Sequence, residues 1–93
     1  MVLDQEKKKK VVRRARIIEG QIKALGTGID NEKYCVDLLI QLRAIQNSLK
    51  GLGRLILQNH ISSHVKHMLK HETTGEKAVD ELVKLLELSD KYN

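Results

Sequence analysis

The fold turns on one stretch, Cys35 to His64, CVDLLIQLRAIQNSLKGLGRLILQNHISSH. Cys35, Leu38, Leu42, Ile45, Leu49, Leu52 and Ile56 alternate steps of three and four without a slip, the period of an amphipathic helix. Leu39, Leu55, Leu57 and Ile61 widen that band. Gly51-Leu52-Gly53 is the one place where a hairpin could form. The seam stays in register across it and no Pro, Asn or Asp supports a turn, so the helix is expected to run through. The two glycines are then sites of close backbone approach, each costing about 1 kcal/mol against Ala in helix propensity. The helix is expected to start after Asp30 or Asn31, either of which can cap it, and to end near His71.

Outward from this stretch, Gly26-Thr27-Gly28 and Thr73-Thr74-Gly75 punctuate the chain into three helical segments. The first, Gln5 to about Leu25, places Val11, Ala15, Ile18, Ile22 and Leu25 on one face. Its other face carries a basic stripe of Lys9, Arg13, Arg16 and Lys23, with Lys10, Arg14 and Gln21 beside it. The third segment opens on Thr73-Thr74-Gly75-Glu76, a capping-box pattern with Thr73 as cap, and packs through Val79, Leu82, Val83 and Leu86. The expected fold is all-α: a three-helix protomer with a long middle helix, one domain spanning residues 1–93.

A chain of 93 residues without Phe, Trp or Pro has only an aliphatic core to build. Domains near this size bury only about 60–65% of their unfolded surface, so association with a second copy is the natural way to complete that core. Seventeen Lys and Arg against twelve Asp and Glu leave a net charge of +5, which favours an anionic partner, nucleic acid or an anionic membrane surface. No stretch approaches a membrane span, and the charged first ten residues do not read as a secretory signal. One cysteine excludes an internal disulfide, and a cytoplasmic protein is expected.

Chemistry concentrates in Cys35, His60 and His64. The histidines stand at i and i+4 on one helix face, the spacing by which two imidazoles grip one ion. Along an unbroken helix, however, Cys35 and His60 lie roughly 37 Å apart, at ~1.5 Å per residue. One chain cannot bring them to one atom. Two antiparallel copies related by a two-fold axis near Asn47 and Ser48 place Cys35 of one beside His60 and His64 of the other, twice. A thiolate with two imidazoles suits Cu(I), Zn(II), Co(II) or Ni(II) rather than Mg(II) or Ca(II). The competing account makes the histidines solvated or interfacial and Cys35 an ordinary core residue. An enzyme would need a nucleophile, an orienting base and a pocket, which this residue set does not offer.

These residues resemble the metal-sensing, all-helical repressors of the CsoR/RcnR/FrmR type, over about Lys7 to Leu86. The resemblance is carried by the basic first helix ending in Gly20-Gln21, by Tyr34-Cys35-Val36-Asp37, by Gln41 to Gln46, and by Asn59-His60 with a ligand position at 64. It implies antiparallel dimers assembled into tetramers, which bind operator DNA when metal-free and release it when an inter-subunit site fills. It implies Cys35, His60 and His64 as ligands, and Tyr34 and Glu81 as the outer pair linking the metal to the DNA-binding state. That pattern is closest to the copper branch, so Cu(I) is the expected effector. Position 64 is His, as in the nickel and cobalt branch, and His67 also resembles that branch. The N-terminal histidine used there has no counterpart in Met1-Val2-Leu3-Asp4. The second Cys of the persulfide-sensing branch and the N-terminal Pro of the formaldehyde-sensing branch are lacking as well. Operator DNA is expected to meet Lys9, Arg13, Arg14 and Arg16, with Arg14 matching a family arginine. The rival readings are a nickel- or cobalt-responsive repressor of the same family, with Zn, Ni or Co as effector, and a metal store or carrier that binds no DNA.

Overall fold

A computed structural model describes residues 5–71 and 75–92. Helix α1 spans Gln5–Asp30, α2 Cys35–His71 and α3 Glu76–Ser89, and a single 3-10 turn, Asp90–Tyr92, follows. The aliphatic period of the middle segment is realised in full, since α2 runs 37 residues without a break through Gly51 and Gly53. At ~1.5 Å per residue such a helix is about 55 Å long, and it sets the 57 Å long dimension of the chain.

The helix ends differ from expectation. α1 continues past Leu25 and takes Gly26 and Gly28 into its last turns. It stops where Glu32 adopts a left-handed φ of 55°. Around that residue Lys33 N–H donates to Gly28 O at 2.9 Å and Glu32 N–H to Ile29 O at 3.0 Å. This is the paired closure that normally recruits glycine, here built on a glutamate. Gly28 answers to a different need: a side-chain carbon there would stand 3.1 Å from Leu38 Cδ2 of α2.

Neither Asp30 nor Asn31 caps α2. Asp30 is the last residue of α1, and the first bond of α2 runs from Leu38 N–H to Tyr34 O at 3.1 Å. Thr73 lies outside the described residues, and α3 starts from Gly75, whose carbonyl accepts from Ala78 and Val79 N–H.

α1 and α3 each pack antiparallel on α2 and not on each other. Gly28 faces Leu38 and Arg14 faces Gly51 along the first pairing, while His64 meets Ala78 and Gly53 meets Tyr92 along the second. The resulting layer is 14 Å thick and has a radius of gyration of 17.6 Å, against about 12 Å for a compact domain of this length. Among the described residues only Ile18, Ile45 and Leu57 form a buried apolar core. The single seam of the sequence is thus divided. Ile45 packs inside the chain, whereas Leu42 and Leu49, with Leu39 beside them, stand 38%, 45% and 58% exposed. Exposed aliphatic side chains at these positions leave the rest of the seam without a partner within the chain. Among the described residues no helix is long and apolar enough to cross a membrane.

Candidate metal centre and nucleic-acid interface

His60 and His64 lie one turn apart on α2, where α3 crosses it, and their rings stack with centroids 6.3 Å apart. His60 Nε2 is 3.1 Å from Glu81 Oε1. A carboxylate only accepts, so this nitrogen carries the proton. The other nitrogen, Nδ1, is buried and has no hydrogen-bond partner. His64 follows the same plan: its Nε2–H donates to Ala78 O at 3.1 Å, leaving Nδ1 3.7 Å from Glu81 Oε2. Both imidazoles are therefore held to α3 through Nε2; Nδ1 of His60 is left over, while that of His64 faces the Glu81 carboxylate. An outer partner that fixes the tautomer of a histidine in this way is the usual companion of a metal-binding imidazole. The hydrogen bond from His60 holds the Glu81 carboxyl below the usual carboxylate range; desolvation opposes the shift, and the charges of His64 and His60 reinforce it.

Cys35 is exposed at the first turn of α2, at the far end from the histidine pair. Tyr34 precedes it, 67% exposed. Of the expected set, the fold brings together His60, His64 and Glu81 and leaves Cys35 and Tyr34 apart from them. Among the described residues no three His, Cys, Asp or Glu side chains of one chain converge as a ligand set. His67 is exposed one turn beyond His64.

The basic residues divide as well. Lys9, Arg13 and Arg16 line one shallow groove on α1 together with Lys8, Val12 and Ile17. Arg14 points elsewhere, into a second groove between α1 and α2, where Asn47, Ser48, Gly51 and Arg54 form the opposite wall. Two participants escaped the sequence reading. The Ala78 carbonyl carries no side-chain signal at all, and Arg54 meets Arg14 only through the pairing of two helices.

The chain matches a family model described as metal-sensitive transcriptional repressor over residues 7–87. It belongs to that family. The metal-sensing repressors similar to it include the copper-sensing transcriptional repressor CsoR of Bacillus subtilis, 32% identical over 78 residues that cover 84% of this chain and 76% of the relative. Among solved structures, the copper-sensing repressor CsoR with Cu(I) from Geobacillus thermodenitrificans has a TM-score of 0.79 at 27% identity, covering 95% of this chain and 91% of that one. The nickel-responsive transcriptional regulator InrS has a TM-score of 0.74 at 28% identity, with 91% of each chain covered. The resemblance read from Tyr34-Cys35, Asn59-His60 and the basic first helix is to this family. A copper sensor and a nickel-responsive regulator stand at comparable likeness, so family membership establishes a metal effector without choosing the ion. These similar proteins are transcriptional regulators, in keeping with a role other than catalysis.

Proposed function

We propose that this repressor binds operator DNA when metal-free, through Lys9, Arg13 and Arg16 on one side of α1 and Arg14 in the groove between α1 and α2. It is released when Cu(I) is held by Cys35 of one copy and His60 and His64 of a second. The observation that carries this reading is the state of His60, whose Nδ1 is buried without a partner while Nε2 is committed to Glu81. A buried polar nitrogen left unsatisfied costs free energy, and a bound cation removes that cost. The exposed Leu39, Leu42 and Leu49 supply the face on which a second, antiparallel copy docks, with its two-fold axis near Asn47 and Ser48. In that arrangement Cys35 and Tyr34 of one copy reach the histidine pair and Glu81 of the other. Two such dimers form the tetramer, acting in the cytoplasm where operator DNA is found.

Cu(I) accepts one thiolate and two imidazoles without further donors, whereas octahedral Ni(II) or Co(II) needs two or three more. The bound cation supplies a fixed charge and fixed bond directions. His60 does the rest, because drawing its Nδ1 to a ligand position reorients the ring and with it the Nε2–H bond to Glu81 on α3. Metal and DNA then favour different arrangements of one assembly, and each weakens the other by the same factor, commonly ~1–3 kcal/mol. The second reading, a nickel or cobalt sensor, is favoured by His64 standing where a second thiolate would be softer. It gains from the Glu81 carboxylate 3.7 Å from His64 Nδ1, a harder donor within reach. A store or carrier for the same ion would need no basic face.

The deciding experiment titrates a protein–promoter DNA complex, under anaerobic reducing conditions, with each metal at buffered free concentration. Release by Cu(I) is expected. Release by Ni(II) or Co(II) but not Cu(I) transfers the assignment to the second reading, and no DNA binding in any state leaves the store.

A further inference from the structure

α3 is lightly attached to the rest of the chain. None of its described residues is buried, and Val79, Val83 and Leu86, the face expected to pack, stand 45%, 47% and 53% exposed. A helix of 14 residues has little stability of its own in water, so its placement on α2 rests on a few contacts. One group of them is at the histidine pair, where Glu81 and the Ala78 carbonyl meet His60 and His64. The other is at the opposite end, in the turn that follows α3. Between the two, α2 and α3 leave a groove of 210 Å³ lined by Arg54, Leu57, Gln58, Ile61 and Ser89.

The second attachment is a ring in a notch. Tyr92 lays its ring against Gly53, in the space that a side-chain carbon on Gly53 would fill. Arg54, the next residue of α2, donates from Nη1 to the backbone carbonyl of Tyr92 at 2.6 Å, a hydrogen bond strengthened by the charge of its donor. Two consecutive positions of α2 thus hold the ring and the carbonyl of one residue. Gly51 has no such duty, because a carbon placed there would meet Arg14 Nη1 at 3.6 Å, an ordinary contact. At both glycines the nearest atoms belong to side chains rather than to a neighbouring backbone.

We infer that Tyr92, Gly53 and Arg54 form a clasp that positions α3 on α2, and through it sets Glu81 and the Ala78 carbonyl on the histidine pair. The inference rests on the reading of His60 and His64 as metal ligands and adds positioning residues outside the ligand set. With α3 fixed at both ends, the partner of His60 Nε2 is in place before an ion arrives, and none of the binding free energy goes into ordering it. Released at the far end, α3 lifts from α2 part of the time. His60 then loses its acceptor, and its ring is free to take either tautomer.

The test uses Gly53→Ala, which denies Tyr92 its seat while placing a better helix former in α2. In the metal-free protein, hydrogen exchange of the α3 amides is expected to quicken roughly tenfold, and nitrogen NMR of the His60 ring to show the Nδ1–H form beside the Nε2–H form. Cu(I) affinity, measured against a competing chelator, is expected to fall roughly tenfold. Tyr92→Ala should give the same three changes. Tyr92→Phe, which keeps ring and carbonyl, and Gly51→Ala should give none. Adding Gly53→Ala to Tyr92→Ala should cost nothing more, because the seat is already empty. If Gly53→Ala fails to assemble, Tyr92→Ala against Tyr92→Phe carries the test. Exchange and ring spectra like the parent's in assembled Gly53→Ala and Tyr92→Ala overturn the clasp and leave the metal reading intact. Equal losses in Gly51→Ala trace the effect to α2 itself and overturn it too, as does a Cu(I) affinity that rises. A parent protein whose histidines bind no Cu(I) removes the metal reading, while exchange and ring spectra still decide the clasp.

Discussion

His60 on α2 and Glu81 on α3 meet at 3.1 Å, and this one contact decides which nitrogen of the imidazole is left to act. Glu81→Gln keeps the size of the side chain but removes the charge that favours an Nε2–H donor. Metal affinity is expected to fall ~10–100-fold, as for other outer partners of metal-binding histidines, and the difference in DNA affinity between metal-free and metal-bound protein to shrink. Competition against a chelator of known affinity measures the first and fluorescence anisotropy of labelled DNA the second. An unaltered value of both would show Glu81 to be a bystander.

If Cys35 and the histidine pair hold one ion, as proposed, their distance along α2 requires that two copies share the site. A Cys35→Ala chain and a chain with both His60→Ala and His64→Ala are each expected to lose tight metal binding. A purified heterodimer of the two is expected to regain one of its two sites. A verified heterodimer with no site at all would rule out the inter-subunit arrangement.

Lys9, Arg13 and Arg16 line one groove on α1. Arg13→Gln and Arg16→Gln should each lower DNA affinity and flatten its salt dependence by about 0.9 for each phosphate left without its cation. Metal affinity in the absence of DNA should be untouched. Full DNA affinity in both variants would move the DNA-binding face off this part of α1.

Glu81 also gives the metal-free protein a pH dependence. Its carboxyl is held below the usual range, chiefly by the hydrogen bond from His60. A group whose folded value is depressed contributes stability that is present above its unfolded value, near 4.3 for a glutamate, and is lost as pH falls through the folded value. The thermal midpoint is expected to drop on acidification through that window, and Glu81→Gln to flatten the drop. Superimposable profiles for parent and variant would refute the link.

Glu32, with its left-handed φ of 55°, occupies a position that favours glycine. Relieving the clash of its Cβ by Glu32→Gly is expected to stabilise the protein by about 1 kcal/mol, read as a shift of the denaturant midpoint at fixed protein concentration. A midpoint that moves down instead would mean that the Glu32 side chain contributes more than the clash costs.

How much of this was legible beforehand follows the range of the interactions. α2 could be read from its seam because a period of 3.6 residues is a local property, and the separation of Cys35 from His60 is arithmetic on that helix. The helix ends could not. α1 ends at Asp30 because Leu38 crosses at Gly28 and the chain turns through Glu32, an outcome set by a neighbouring helix. The spacing of His60 and His64 marked them as a pair, but the choice of free nitrogen depends on Glu81 and on a backbone carbonyl at Ala78, 21 and 14 residues away respectively. Arg54 was invisible for the same reason: its neighbours Arg14 and Tyr92 lie 40 and 38 positions off in the sequence.

The thin layer, with three buried apolar side chains among its described residues, has a bearing on when such a repressor can act at all. A protomer this shallow has little to hold it folded alone, so abundance governs both its integrity and its hearing. On the proposed inter-subunit site, a concentration below that at which copies pair leaves the ion only part of its ligand set. Freshly made chains would be deaf to metal until they meet, and a cell that lets the repressor grow scarce loses the sensor before it loses the protein. Any relative with a matching apolar face, made in the same cell, could join it and hand it a different set of ligands.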